Sequence, residues 1–265
     1  MTRFSDTARR WQAELEAGGY ERRITTSAEF RRLLRVSRTW RTILRATRLR
    51  PGAAVFEFGC GGGNQLVPLA LRGYRCAGID CSEEVLARCR RLMADAERFS
   101  GRRLSVRLHH GDFLEFLSDE PHDLVFNFGV IEHFLDDAER RRAVARMFSL
   151  CAPGGHVVSV VPSGTHPLRG RMRAEGLGGY RVPEIDYTPA LLEAEMREAG
   201  GSAVRVIPHN LFGYRLLVPA TAFPRLRHRL VFWGAQLLPR VSSRFTVRHA
   251  SSFICVARKG TGSGP

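Results

Sequence analysis

A short apolar run at residues 53–58 leads into Glu57-Phe58-Gly59-Cys60-Gly61-Gly62-Gly63, and a segment of helical character follows from Asn64. Glycines at alternate positions let a backbone turn sharply and approach a ligand where any Cβ would clash. The helix behind such a turn aims its free N–H groups and the positive end of its dipole at that ligand. A related spacing, G-x-G-x-x-G, holds a pyrophosphate in dinucleotide folds. Here an acid, Glu57, stands two residues before the first glycine, where it would repel a pyrophosphate and attract an ammonium group. Further acids follow in order. Asp80 closes Gly78-Ile79-Asp80, with Cys81 next, where a carboxylate can accept from both hydroxyls of a ribose. Asp112, in His110-Gly111-Asp112-Phe113, is placed to accept from a base amino group, with the Phe113 ring alongside. Asn127-Phe128-Gly129-Val130-Ile131-Glu132-His133-Phe134 then brings an amide, a carboxylate and an imidazole into one segment.

The elements that must position these residues alternate. Apolar runs at 53–58, 75–79, 104–108, 123–128, 156–161, 203–207 and 253–257 read as strands. Between them, 64–71, 82–99, 136–150 and 189–199 read as helices, with the Ser82 hydroxyl as an N-cap. Strands alternating with such helices imply a parallel sheet with right-handed crossovers and helices on both faces. The chemistry-bearing segments then converge on the carboxyl ends of adjacent strands, where open α/β sheets bind ligands. Before the sheet, residues 3–17 and 27–48 carry apolar positions at helical spacing, separated by Gly18-Gly19. Residues 162–187 and 208–250 break the rhythm and read as insertions.

In this order the blocks resemble the class I S-adenosylmethionine-dependent methyltransferase family, small-molecule type. The matching features are Glu57 to Gly63, Asp80, Gly111-Asp112, Glu132-His133 and Pro153-Gly154-Gly155, over roughly residues 50–207. The resemblance implies an α/β fold. It is a Rossmann-like parallel sheet with a final antiparallel strand, helices on both faces, an N-terminal helical extension and a cap insertion before the last strand. It divides the chain into a helical cap (1–50), an S-adenosylmethionine-binding core (51–207), a cap or substrate insertion (208–250), and a last strand with a disordered tail (251–265). It implies S-adenosyl-L-methionine as cofactor, held by Glu57, Gly59, Cys60 and Gly61 at the methionine portion. Asp80 with Cys81 would take the ribose, Asp112 with Phe113 the adenine, and Asn127 with Phe128 would lie near the sulfonium.

The acceptor is less constrained. A hydroxyl acceptor needs a base, and His133, His166 and His209 are the candidates, with Tyr180 and Tyr187 behind them. Related segments in some quinone-pathway and small-RNA methyltransferases bind a divalent metal through Glu132, His133 and an acid three residues before the glutamate. That acid is Gly129 here, so no metal is expected. The Asn/Asp-Pro-Pro-aromatic stretch of adenine-N6 enzymes and the Pro-Cys of cytosine-C5 enzymes are absent. The expected acceptor is a small secondary or specialised metabolite, methylated on oxygen. RNA, or a membrane-associated lipid or quinone precursor, is the alternative. A non-catalytic binding subunit of the same fold is a reading of another class.

Composition bounds the rest. The chain has 265 residues, 44% hydrophobic and 25% charged, enough for a sizeable core. Its formal charge is +15, carried by arginines and the single lysine Lys259. Residues 1–50 hold thirteen arginines against Asp6, Glu14, Glu16, Glu21 and Glu29. A second cluster, Arg225 to Arg248, contains no acid. Such basic ends suit an anionic substrate, nucleic acid or an acidic membrane surface, so peripheral membrane contact stays open. The six cysteines form no C-x-x-C pair, and the amino-terminal residues lack an apolar signal core. A cytoplasmic protein with reduced thiols is expected, its oligomeric state unspecified.

Overall fold

Strand register explains which side chains can meet at one site. The computed structural model describes residues 5–16, 21–118, 120–176, 182–217, 224–237 and 242–261. Gly18-Gly19, Tyr180, part of the 208–250 insertion and the last four residues lie outside them.

Seven strands form one sheet: β1 (Ala54–Phe58), β2 (Arg75–Asp80), β3 (Val106–His110), β4 (His122–Phe128), β5 (Cys151–Pro162), β6 (Gly201–Leu211) and β7 (Ala250–Lys259). Their order is β3-β2-β1-β4-β5-β7-β6. The first five pair in parallel, and β7 runs antiparallel to both neighbours. The antiparallel final strand and the helices on both faces match the expectation.

Because side chains alternate across a strand, each strand feeds two cores. Phe56, Phe58, Val125, Val157 and Phe253 pack on one face, and Val55, Leu124, Phe126, Val158 and Ile254 on the other. Each such fully buried large side chain contributes about 1.5–3 kcal/mol.

The helices are α1 (Asp6–Glu16), α2 (Ser27–Leu33), α3 (Arg38–Thr47), α4 (Leu66–Ala70), α5 (Glu83–Ser100), α6 (Asp137–Leu150), α7 (Arg169–Ala174), α8 (Pro189–Glu198), α9 (Gly213–Leu217), α10 (Pro224–Leu237) and α11 (Arg244–His249). Ser82 caps α5 as expected, its hydroxyl accepting from the Val85 N–H. The continuous helix expected over 27–48 is instead two. Thr26 and Glu29 form a capping box on α2, and the Ser37 hydroxyl accepts from the Trp40 N–H to start α3. Such a local side-chain hydrogen bond suits a cap better than a helix interior. Helix α4 is shorter than expected and carries Pro68 in its first turn, where a missing N–H costs nothing. No helix among the described residues is long and apolar enough to cross a membrane.

One buried network braces the segment after β4. Arg140 on α6 donates to Glu195 Oε1 of α8 (2.7 Å), Asp137 Oδ1 (2.6 Å) and the Phe134 carbonyl (3.1 Å), and the Tyr187 hydroxyl donates to Glu195 Oε2 (2.7 Å). Removing one partner leaves a buried charge uncompensated, so Arg140→Ala should lower unfolding free energy by about 3–5 kcal/mol. Urea denaturation followed by circular dichroism checks this, and a midpoint equal to wild type would contradict it.

Candidate functional site

The glycine turn leaves β1 with its backbone in conformations that side chains resist. Gly59 and Gly63 have φ of +65° and +80°. A Cβ on Gly59 would sit 2.7 Å from Val130 Cγ2, and one on Gly63 2.5 Å from Cys89 Sγ. The turn is therefore pressed against the segment after β4 and against α5. Beside it, Asp80 accepts from the Gly61 N–H (2.8 Å) and the Ser82 N–H (3.1 Å), which fixes its carboxylate at the end of β2. Burial raises the Asp80 pKa, partly offset by those backbone donors.

Glu57 is 2% exposed, and its Oε2 has no hydrogen-bond partner among the described residues. Burial, then the neighbouring Asp80 charge, pushes its pKa well above the usual carboxylate range. A buried acid with an orphaned oxygen is costly unless a cation or donor meets it.

An open cavity of about 690 Å³ lies over these strand ends. Gly59, Gly61, Asp80, Cys81, Asp112 and Phe113 form its floor and one wall, and Phe128, Gly129 and Val130 another. Helix α1 supplies the roof through Ala8 and Trp11. It is tied down at both sides: the Ser5 N–H donates to Asp112 Oδ2 (2.6 Å) and Gln12 Nε2 to the Cys81 carbonyl (2.6 Å). The Trp11 ring meets the His133 ring edge-on at 4.7 Å. A helical cap over 1–50 is expected from the sequence, but Trp11 is not singled out there, because it reads equally well as a core-facing position of an amphipathic helix.

Not every expected residue arrives. Asn127 is fully buried, and its Nδ2 donates to Ser159 Oγ (2.7 Å) under Met147 of α6. Neighbouring strand residues point to opposite faces, so Phe128 reaches the cavity and the Asn127 amide does not. The Cys60 side chain is likewise buried away from the cavity, against Gly78.

The three histidines are dispersed. His133 lies outside the cavity lining but between two of its residues in sequence, Val130 and Phe134, in a short 3₁₀ turn, Ile131–His133. Its Nδ1–H donates to the Pro183 carbonyl (2.9 Å), leaving Nε2 as the basic nitrogen, and burial lowers its pKa. His166 is buried beside Tyr214 and His249, away from the cavity lining, with Nδ1 accepting from the Leu168 N–H (3.1 Å). Burial, then the His249 and Arg215 charges, pulls its pKa down to about 4. His209, on β6, pairs with the Thr39 hydroxyl of α3 at 2.9 Å. Tyr187 is committed to Glu195.

The 162–187 insertion brings an acid that sequence reasoning did not place. Glu184 joins Glu132 and His133 so that one ligand atom from each lies within 4.8 Å of the others. Glu132 is 1% exposed with an unpartnered Oε2, and burial raises its pKa to about 8. Glu184 thus offers the second carboxylate that Gly129 lacks, and the trio could hold a divalent cation. The Arg169 guanidinium, 2.8 Å from Glu184 Oε1, already supplies a positive charge there.

Residues 55–155 match the family model of a methyltransferase domain. An uncharacterised methyltransferase of Geobacillus kaustophilus is 35% identical over 117 residues, 44% of this chain and 50% of that one. A ubiquinone biosynthesis O-methyltransferase of Stutzerimonas stutzeri is 27% identical over 151 residues, 49% of this chain and 62% of that one. The chain thus spans about half the length of the first of these curated relatives. Among solved structures, magnesium protoporphyrin IX methyltransferase from Synechocystis, with bound S-adenosylhomocysteine, superposes with a TM-score of 0.57 at 15% identity. That match covers 96% of this chain and all of the other.

Proposed function

We propose that this chain, an enzyme carrying a class I S-adenosylmethionine-dependent methyltransferase domain, methylates a hydroxyl oxygen of a small-molecule acceptor. S-adenosylmethionine is the cofactor of that family, and when bound it supplies an electrophilic methyl group on a sulfonium. The cavity lining fits it, together with Glu57, which is buried just before the glycine turn and outside that lining. The orphaned Glu57 oxygen suits an ammonium, Asp80 a ribose diol, and Asp112 with Phe113 an adenine. Gly59 and Gly61 present bare backbone to the cavity. Helix α1 acts as a cap that excludes water, with Trp11 as its inner surface.

The observation that carries the oxygen acceptor is the tautomer of His133. With Nδ1–H committed to the Pro183 carbonyl, Nε2 is left to take a proton, and the lowered pKa keeps it neutral near pH 7. A hydroxyl must lose its proton as the methyl arrives, and a neutral imidazole can accept it. Alignment of the two reactants under the α1 roof supplies the remaining acceleration. Similarity to an O-methyltransferase relative supports the same reading.

The test is a pair of measurements on the full chain. Calorimetric titration with S-adenosylhomocysteine should show one binding site. Incubation with methyl-labelled S-adenosylmethionine and a metabolite extract should place label in a small, nuclease-resistant product. Absence of binding would leave only a non-catalytic scaffold, and label in nuclease-sensitive material would transfer the reading to RNA.

A further inference from the structure

A second open cavity, of about 950 Å³, lies between α2–α3 and α4, and shares the Phe128 wall with the cofactor cavity. Four guanidinium groups border it, those of Arg22, Arg32, Arg35 and Arg72, and no acid does. Its other polar lining is neutral: Ser37, Thr39, Asn64 and Gln65.

These arginines have no carboxylate partner among the described residues. Arg22 reaches only the Asn64 amide oxygen (3.5 Å), and Arg72 donates to the carbonyls of Pro68 (2.7 Å) and Leu34. The acids nearest in sequence are engaged elsewhere. Glu21 pairs with Arg91 (2.8 Å), and Glu29 is held by the backbone and hydroxyls of Thr25 and Thr26. Arg23, Arg90, Arg107, Arg140 and Arg169 each meet a carboxylate, whereas here four arginines border one cavity that no acid lines. Arg22 and Arg72 are also half-buried, and burial lowers the pKa of both. For Arg22 the charge of Arg32 acts in the same direction. Partly desolvated like charges gathered round one cavity are unfavourable unless an anion joins them.

We propose that this cavity binds the phosphate group of a phosphorylated acceptor, placing the acceptor's reactive end past Phe128 toward the methyl donor. A phosphate dianion offers several acceptor oxygens and about two negative charges to planar guanidinium forks. One carboxylate would be satisfied by a single fork. The proposal rests on the reading of the chain as a small-molecule methyltransferase. The same oxyanion chemistry could come from the cofactor's own carboxylate, so the two sources must be separated.

Arg32 and Arg35 lie on the exposed rim, where glutamine is compatible with the fold. Inorganic phosphate is titrated into the full chain saturated with S-adenosylhomocysteine, at fixed ionic strength. The expected result is one phosphate site whose affinity falls at least about tenfold in the Arg32→Gln/Arg35→Gln double variant, with S-adenosylhomocysteine affinity unchanged. Equal phosphate affinity in the variant, or no phosphate binding by wild type, overturns the proposal. Mutual exclusion of phosphate and S-adenosylhomocysteine overturns it too, and gives the arginines to the cofactor. Failure of S-adenosylhomocysteine to bind would instead sink the methyltransferase reading, while a phosphate titration without it still reads the anion site.

Discussion

Glu57→Gln should weaken S-adenosylhomocysteine binding by about 2–4 kcal/mol, roughly 30- to 1000-fold, while making the ligand-free protein more stable at neutral pH. Both halves follow from one orphaned carboxylate oxygen. In the free protein Glu57 is buried, with Asp80 beside it and no cationic partner among the described residues, so its proton is held more tightly than in the unfolded chain. A carboxyl whose folded pKa is raised imposes no penalty below the unfolded value of about 4.3. Stability is then lost as pH rises from that value through the folded pKa. Glutamine keeps the shape and removes the charge. The melting temperatures of variant and wild type should therefore coincide near pH 4, with the variant higher at pH 8. Binding runs the other way, because an ammonium loses its buried counter-charge. Methylthioadenosine, which lacks the amino-acid portion, serves as control and should bind both proteins equally. Equal S-adenosylhomocysteine affinity in the variant would falsify the assignment of Glu57 to the ammonium.

The reach of sequence reasoning here follows contact range. The glycine turn, Asp80 and Asp112 were legible because each sits at a strand end, where local turn chemistry and topology together dictate what it faces. The Asn127 assignment failed for a reason that was also legible. Leu124, Phe126 and Phe128 share one face of β4, so an amide at 127 must turn to the other, toward Met147 and Ser159. What could not be read were long-range meetings. Ser5 lies 107 positions from Asp112, and Glu184 sits beside Glu132 because the Ile185 N–H donates to the Glu132 carbonyl (2.8 Å). Neither has a periodic or turn signature. The arginine cavity hid for another reason. In a chain carrying +15, Arg22 and Arg72 look like every other arginine until the fold gathers them with Arg32 and Arg35 round one cavity.

His133→Ala should lower turnover by about 10²–10⁴-fold with S-adenosylhomocysteine affinity unchanged, if the imidazole takes the acceptor's proton. The pH profile separates this role from a merely structural one. Burial is the main cause lowering the His133 pKa, with the Pro183 carbonyl opposing it. The protonated, inactive form therefore gathers only below the ordinary histidine value of about 6.5. Wild type should show an acidic limb below that pH and a plateau above it, and the variant should lose the limb. Trp11 stacks edge-on against the same ring, so the variant also loosens the α1 roof. Trp11→Phe controls for this by retaining an aromatic roof, and it should keep the limb. A chelator arm addresses the one competing use of Nε2, as a ligand beside Glu132 and Glu184. If His133 acts as the base, prolonged dialysis against a chelator leaves turnover intact, because Arg169 already balances Glu184. Loss of activity on chelation, restored by magnesium or manganese, would reassign His133 from proton acceptor to metal ligand.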